Sequence, residues 1–301
     1  MGADDARLNI TSDMARCLVA EQFSSLAHLP ITPVMSQGWD NATFRLGEDL
    51  SVRIPTAKCY AAQPLKEQDW LPFLAPHLTV EIPHQVALGM PSPWVPWHWA
   101  IYTWREGTPL METVLSQDAR KMLALEIARF LKELHGIDAT KGPSAGLHNF
   151  WRGGSLLHYD TDVKEALRVL ALPYSRKMIF LIWEEALSSS WQHPPRWVHG
   201  DMSVGNMLMG QDRLLAVIDF GCMGVGDPAC DLVMAWTYFE GEERLLFQNA
   251  LSFDVDTWKR AKGWALWKAL LSIRSQQEGQ NLPGMNPQKT LHRILSEHAP
   301  S

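Results

Sequence analysis

Three oxygen-bearing side chains lie at a spacing suited to holding a divalent cation beside a reactive hydroxyl group. Asp201 comes two residues after His199, and Asn206 comes five residues after Asp201. Asp219 follows later, within an Asp-Phe-Gly tripeptide. Mg²⁺ prefers oxygen ligands, and phosphoryl transfer requires little of a protein beyond a bound metal and a positioned acceptor. We therefore predict that Asn206 and Asp219 bind Mg²⁺ and that Asp201 accepts the proton of an acceptor hydroxyl group.

Apolar runs flank these polar residues and predict how they are positioned. Residues 197–198, 207–209 and 214–218 are mostly apolar and short, which is typical of buried strands. Either His-Gly-Asp or Asp-Phe-Gly alone would most simply be an ordinary turn. Their order, and the strands predicted around them, favour a functional site instead.

Three segments together resemble the aminoglycoside phosphotransferase family. They are His199-Gly-Asp-x-x-x-x-Asn206, Ile218-Asp-Phe-Gly221 and Gly226-Asp-Pro-Ala-Cys-Asp-Leu232. This family belongs to the small-molecule kinases with a protein-kinase-like fold, which also include macrolide phosphotransferases and choline, ethanolamine, homoserine and fructosamine kinases. The Gly after His199 stands where protein kinases have Arg. The resemblance covers about residues 38 to 295 and is specific for the superfamily, not for the acceptor.

The resemblance implies an α+β class and a bilobal protein-kinase-like fold. A small N-terminal lobe with an antiparallel sheet would span residues 1–104 and bind the nucleotide. A larger, mostly helical lobe would span residues 105–301 and carry the catalytic and acceptor-binding residues. The sequence patterns predict the following elements: helices at about 12–26, 61–75, 116–136, 160–172, 174–191, 254–277 and 287–297, and strands at 33–37, 41–46, 50–54, 84–89 and 98–104.

Arg53 is predicted to align the nucleotide phosphates from the third strand. The resembled family places a cation there and a carboxylate on the next helix to hold it, which is Glu67 in this chain. Arg can bind phosphate oxygens in a bidentate manner. The alternatives are an exposed edge-strand Arg, a solvated Glu, or Lys58 in place of Arg53.

The remaining nucleotide contacts follow from the resemblance alone. Ser36, Gly38 and Asn41 lie at the turn that would cover the phosphates. Tyr102 and Trp104 lie in the predicted hinge, where the backbone would bind the base. Backbone contacts have no side-chain signature, so ATP and GTP both stay open.

Acidic residues in the second lobe are candidates for binding a cationic acceptor. Asp160, with Asp162, Glu184 and Glu185, lies where related kinases build part of the acceptor pocket, although each of these acids could simply be solvated. The preferred acidic wall consists of Glu240, Glu242 and Glu243. Two further aspartates receive structural roles: Asp227 as a helix N-cap before Pro228, and Asp231 as a support for the catalytic loop.

Composition narrows the class of protein. The chain has 301 residues, 46% hydrophobic and 20% charged, with a net charge of −6, and this acidity argues against a nucleic-acid partner. No apolar run is long enough to span a membrane, and the first residues do not resemble a secretion signal. The four cysteines lie far apart, so we expect a cytoplasmic protein with free thiols.

We therefore predict an enzyme that transfers the γ-phosphoryl group of ATP or GTP, with Mg²⁺, to a hydroxyl group of an antibiotic. An aminoglycoside is the favoured acceptor, and a macrolide or a metabolic alcohol such as choline is the alternative. A non-catalytic nucleotide-binding pseudokinase is a third hypothesis, which the joint presence of Asp201, Asn206 and Asp219 disfavours. The expected state is a monomer or a homodimer.

Overall fold

The chain divides into two compact units. The computed structural model describes residues 7–34, 38–279 and 285–297, so the predicted contact residue Ser36 lies outside the described part. Unit 1 comprises Met1–Pro76, Glu81–Glu106 and Val217–Cys222. Unit 2 comprises His77–Val80, Gly107–Ala216 and Met223–Ser301. Asp219 therefore belongs to unit 1, whereas Asp201 and Asn206 belong to unit 2.

Unit 1 is built on an antiparallel five-stranded sheet of order β1-β2-β3-β5-β4. Its strands are β1 (Ile31–Pro33), β2 (Asn41–Leu46), β3 (Leu50–Pro55), β4 (Gln85–Gly89) and β5 (Trp99–Thr103). Along β3 the side chains alternate, so Val52 and Ile54 enter the core while Arg53 faces the other way. Arg53 lies opposite Thr43 on β2 and Ala100 on β5, at the centre of the sheet.

Two helices accompany this sheet. Helix α1 (Ser12–Gln22) buries Ala15, Leu18 and Val19 in the core beneath β2, β3 and β5. Helix α2 (Gln63–Leu74) begins with Pro64 in its first turn, where a missing N–H costs nothing. It carries Lys66 and Glu67 on its buried side.

Unit 2 is mostly helical. Its helices are α3 (Gln117–Gly136), α4 (Asp160–Val169), α5 (Arg176–Leu187), α6 (Met234–Thr237), α7 (Gly241–Leu251), α8 (Val255–Gln277) and α9 (Pro287–Ser296). Helix α8 contacts α4, α5 and α9 along its length. Most of its middle residues are buried, and this burial fixes the direction of its few polar side chains.

Short strands position the loop of unit 2 that carries Asp201 and Asn206. They are β6 (Thr108–Pro109), β7 (Arg196–Val198), β8 (Met207–Gly210), β9 (Arg213–Val217) and β10 (Gly224–Gly226). Strand β7 pairs with β10, and β8 lies between β6 and β9. The loop 199–206 is therefore anchored by paired strands at both ends, as the apolar runs predicted.

Several predicted boundaries were wrong, for local reasons. The helix predicted at about 12–26 has Thr11 as its N-cap and ends at Gln22, before a separate 3-10 turn at Ser24–Leu26. Strand β1 begins at Ile31, before the strand predicted at 33–37, of which residues 35–37 lie outside the described part. Helix α4 ends at Val169 because Leu170 is extended, and α5 begins only after the N-cap Ser175.

The C-terminal end of α3 agrees with the helix predicted at about 116–136. Gly136 is the last helical residue of α3, and Ile137, in extended conformation, ends the helix. Within the described ranges, no helix has the length and apolarity needed to cross a membrane.

Candidate active site

A fully buried aspartate, Asp231, binds the backbone at the start of the loop 199–206. Asp231 accepts the backbone N–H groups of His199 and Gly200, each at 2.8 Å. It lies on a 3-10 helix, Pro228–Val233, whose N-cap is Asp227, as predicted. Two N–H groups on one carboxylate fix the backbone just before Asp201, and charge-assisted bonds of this kind are among the stronger ones.

Asp201 is engaged through both carboxylate oxygens. Lys268 Nζ on α8 lies 2.6 Å from Oδ1, and Asn206 Nδ2 donates to Oδ2 at 3.0 Å. The Asp201 side chain is still 34% exposed, so a ligand can reach it. Burial opposes ionisation, but Lys268 above all, and Arg152 and His199 after it, lower the pKa of Asp201 to about 2. Asp201 is therefore a carboxylate at neutral pH, as a proton acceptor must be.

Asn206 is oriented by the same contacts. Its amide nitrogen donates to the Asp201 backbone oxygen at 2.9 Å as well as to the carboxylate. Both partners are acceptors, which fixes the nitrogen on that side. The amide oxygen therefore points away from Asp201, as a metal ligand would have to.

Unit 1 contains a second constellation, centred on Arg53. Its Nη2 donates to Asp219 Oδ1 at 2.7 Å, and its Nη1 lies 3.6 Å from Glu67 Oε1. Glu67 also accepts a hydrogen bond from the Tyr102 hydroxyl. The predicted contact between Arg53 and Glu67 is thus present, and the sequence analysis did not foresee that Asp219 would share the same guanidinium.

Burial dominates the electrostatics of this cluster. The Glu67 side chain is 2% exposed, and its burial raises the pKa of its carboxyl group, although Arg53 opposes that shift. Burial also raises the pKa of Tyr102, with Glu67 as the next cause. Burial alone would lower the pKa of Arg53, but Asp219 and Glu67 together raise it. The guanidinium is therefore a permanent charge between two carboxylates.

The Asp-Phe-Gly turn is held from α2. Asp219 has a left-handed φ of 66°, a conformation that Asp tolerates better than most residues. Lys66 Nζ donates to the Gly221 backbone oxygen at 2.8 Å. A Cβ at Gly221 would approach the Gln63 amide to 2.6 Å, so a larger residue there would displace the Gln63 side chain. These contacts fix the direction of the Asp219 carboxylate.

The other predicted nucleotide contacts occupy varied environments. The Asn41 side chain is buried and donates to Gln63 Oε1 at 3.1 Å, whereas Gly38 is exposed. The backbone N–H of Trp104 donates to Asp49 O at 2.6 Å. The Tyr102 hydroxyl is committed to Glu67. Any role of these four residues in binding a nucleotide stays a prediction.

Four of the acids predicted to bind a cationic acceptor already contact a cation of unit 2, and Asp162 instead accepts the indole N–H of Trp267. The four contacts are Asp160 with Lys164 at 2.7 Å, Glu240 with Arg293 at 3.1 Å, Glu242 with Lys121 at 2.7 Å and Glu243 with Arg120 at 2.5 Å. Asp160 also accepts the indole N–H of Trp183. These acids are part of the unit's own ion pairs, and their role towards an acceptor stays a prediction.

Sequence reasoning missed Lys268. It is the only charged residue between Gly263 and Leu271, a stretch otherwise made of Trp, Ala and Leu. A single charged residue in an apolar helical stretch indicates an ion pair, because a charge that is buried needs a partner of opposite charge. The partner, Asp201, could not be identified without the fold.

The donor chemistry fits a hard divalent cation such as Mg²⁺. Asp219 offers a carboxylate and Asn206 an amide oxygen, and the usual Mg²⁺ site takes one or two carboxylates together with phosphate oxygens and water. Among the described residues, no group of three or more His, Cys, Asp or Glu side chains is arranged to hold a metal by itself. Each of these two groups, Asp219 in unit 1 and Asn206 in unit 2, is of a kind that Mg²⁺ takes as a ligand.

A family comparison agrees with the motifs. The model of the family described as "Phosphotransferase enzyme family" matches residues 32–264, well over half of the chain. The match includes Arg53, Glu67, Asp201, Asn206 and Asp219. The resemblance inferred from three sequence segments is thereby confirmed.

Solved structures show the same fold. The GDP complex of wild-type aminoglycoside 2'-phosphotransferase-IIIa superposes with a TM-score of 0.70 at 19% identity, covering 96% of this chain and 98% of that one. The GDP and kanamycin complex of APH(2")-IIIa gives a TM-score of 0.69 at 20% identity, with coverages of 94% and 97%. Macrolide 2'-phosphotransferase MphH from Brachybacterium faecium gives 0.58 at 17% identity, with coverages of 96% and 98%. The predicted kinase-like α+β fold is confirmed.

A curated protein kinase is related over a shorter stretch. Mitogen-activated protein kinase 15 of Xenopus laevis is 26% identical in an alignment of 148 residues that covers 46% of this chain. The match spans about a quarter of that protein's length, 24%.

Proposed function

Because the chain belongs to the phosphotransferase enzyme family, we propose that it transfers the γ-phosphoryl group of ATP or GTP to a hydroxyl group of a small molecule. The observation that carries this proposal is the state of Asp201. It is ionised, one-third exposed, and fixed on a loop whose backbone is bonded to the buried Asp231. A carboxylate presented in this way suits the positioning of a hydroxyl group.

In the proposed reaction, the acceptor oxygen attacks the γ-phosphorus and the bond to the bridging oxygen of the nucleoside diphosphate breaks. Asp201 takes the proton of the acceptor hydroxyl group. Arg53 binds phosphate oxygens, and Glu67 keeps its guanidinium in place. Asn206 and Asp219 would hold Mg²⁺, and the bound ion would supply positive charge to neutralise the phosphate oxygens.

An aminoglycoside is the acceptor that the sequence resemblance favours. Solved structures with the same fold include complexes with kanamycin, streptomycin and gentamicin, according to their titles. At identities of 20–23%, this likeness supports the fold and leaves the acceptor as a prediction.

A neutral or weakly charged acceptor, as in a macrolide-type kinase, is the second candidate. The ion pairs of Asp160, Glu240, Glu242 and Glu243 favour it, because a polycationic acceptor would have to compete with cations of the protein for each carboxylate. For either acceptor, we still predict a cytoplasmic protein that is a monomer or a homodimer.

A coupled assay for nucleoside diphosphate release tests the proposal. The protein is supplied with MgATP or MgGTP and a panel of aminoglycosides, macrolides and small alcohols, and phosphorylated products are identified by mass spectrometry. We expect acceptor-dependent release that is lost in Asp201→Asn. Absence of acceptor-dependent release across the panel, with nucleotide binding intact, would instead support the pseudokinase hypothesis.

A further inference from the structure

The carboxylate predicted to meet the acceptor is already paired with a cation of the protein. Lys268 Nζ lies 2.6 Å from Asp201 Oδ1, and the two side chains are 27% and 34% exposed. Asn206 engages the other carboxylate oxygen. An ammonium group of an acceptor that approached Asp201 would therefore have to share the carboxylate with Lys268 or displace it.

A second cation reinforces this arrangement. Arg152 contributes a positive charge that acts on Asp201. Its guanidinium lies 4.6 Å from the centre of the Trp267 ring and 5.3 Å from that of Trp264, and it donates to the Tyr159 hydroxyl at 3.0 Å. These contacts keep the Arg152 charge near the catalytic loop.

Two acids of α4, Asp160 and Asp162, already accept hydrogen bonds from groups of unit 2, which leaves them less available to a cationic ligand. Asp160 accepts the Trp183 indole N–H and contacts Lys164, and Asp162 accepts the Trp267 indole N–H at 3.4 Å. Asp201 is therefore already compensated by Lys268 and lies under the further positive charge of Arg152. An ammonium group gains less Coulomb energy from a carboxylate that is already paired with a cation, and it would lose part of its hydration on entering.

We propose that Lys268 takes the place on Asp201 that an ammonium group of a polycationic acceptor would occupy. Lys268 thereby selects for hydroxyl compounds with at most one positive charge. This inference rests on the proposed phosphotransferase function, since it concerns the acceptor of that same reaction. Lys268 is a specificity-determining residue in this scheme, and Arg152 strengthens its effect by repelling a second positive charge.

The test uses an acceptor pair that differs mainly in charge: kanamycin and its fully N-acetylated derivative. Calorimetry measures the affinity of both compounds for wild type, for Lys268→Met and for Lys259→Met. Lys259 is the matched control, because it lies on the same helix and contacts Asp256 at 3.0 Å in a similar Lys–Asp pair. If Lys268→Met does not fold, as judged by circular dichroism, Lys268→Gln takes its place.

We expect Lys268→Met to bind kanamycin about fivefold or more tightly than wild type, because a carboxylate becomes available to an ammonium group. Lys259→Met should match wild type, and the affinity for the N-acetylated compound should change little in either variant. Equal kanamycin affinity of wild type and Lys268→Met, including no binding to either, overturns the inference.

Measurements of phosphorylation by wild type distinguish a failure of this inference from a failure of the proposed phosphotransferase function. If wild type phosphorylates only compounds with several ammonium groups, the inference fails while the phosphotransferase function stands. If wild type phosphorylates no acceptor in the wider panel, the proposed function fails, whatever the calorimetry of Lys268→Met shows.

Discussion

Arg53 Nη2 lies 2.7 Å from Asp219 Oδ1, so the guanidinium predicted to bind phosphate is bonded to the carboxylate predicted to bind metal. Its other terminal nitrogen faces Glu67, whose carboxylate is almost fully buried. One permanent positive charge therefore compensates two carboxylates of unit 1. Phosphate oxygens would compete with Asp219 for this charge more readily than with Glu67, because Asp219 is 30% exposed.

We predict that Arg53→Met destabilises the protein by about 3–5 kcal/mol, since it leaves the buried Glu67 without its cation. The double variant Arg53→Met/Glu67→Gln should recover part of this loss, because the amide can still accept the Tyr102 hydrogen bond without carrying a charge. Urea denaturation of the three proteins measures the free energies of unfolding. A double variant less stable than Arg53→Met would contradict the assignment of Arg53 as the compensating charge.

Asp219→Ala should weaken the binding of the metal–nucleotide complex. The variant removes a carboxylate from the proposed Mg²⁺ site and leaves Arg53 with Glu67 alone. Calorimetry with MgATP and with metal-free ATP separates the two effects, because only the first affinity should fall. Asp212→Ala, at an exposed turn in the same region of the sequence, is the control. Equal losses with and without Mg²⁺ would remove Asp219 from the metal site.

The sequence contained enough information for the motifs and the general architecture. The strands around the loop 199–206 follow from short apolar runs, and Asp231, predicted to support that loop, accepts two of its backbone N–H groups. Glu67 was assigned from the spacing of family motifs, and its contact with Arg53 is present. Such features depend on local pattern or on a fixed separation along the chain.

Contacts between distant segments were not predictable in the same way. Lys268 and Asp201 are 67 residues apart, and only the packing of α8 brings them together. The ion pairs of Glu242 and Glu243 with α3 likewise depend on how α7 packs on α3. The exposure of an acidic side chain and the identity of its partner both depend on tertiary structure. The positions of acids in the sequence therefore could not show whether these residues bind a ligand or form ion pairs within the protein.

Lys66 should make the stability of the protein depend on pH. Burial lowers the pKa of Lys66 from 10.5 to about 8 in the folded state. Between these values the unfolded chain binds more protons than the folded one, so the free energy of unfolding rises with pH. Below pH 8 both states are protonated, and the cost of burying the charge is present in full.

The variant Lys66→Met removes this titration. The stability of wild type relative to Lys66→Met should therefore increase from about pH 8 upwards, by roughly 1.4 kcal/mol per pH unit at most. Denaturation at several pH values between 7 and 10 measures the difference. Lys259→Met provides a control at the surface. If the stability difference between wild type and Lys66→Met stayed constant with pH, Lys66 would not lose its proton at a lower pH in the folded state than in the unfolded state.

Asp201→Ala should reduce turnover on an identified acceptor by about 10² to 10⁴, the usual contribution of a positioned proton acceptor. Nucleotide affinity should persist, because Arg53 and Glu67 belong to unit 1 and do not depend on this side chain. The variant also leaves Lys268 without the partner it has at 2.6 Å, so the double variant Asp201→Ala/Lys268→Met is needed. If the unpaired lysine were the cause of the loss, the double variant would regain turnover. We expect it to stay as inactive as Asp201→Ala, measured as single-turnover phosphoryl transfer, because the missing group is the one that takes the hydroxyl proton.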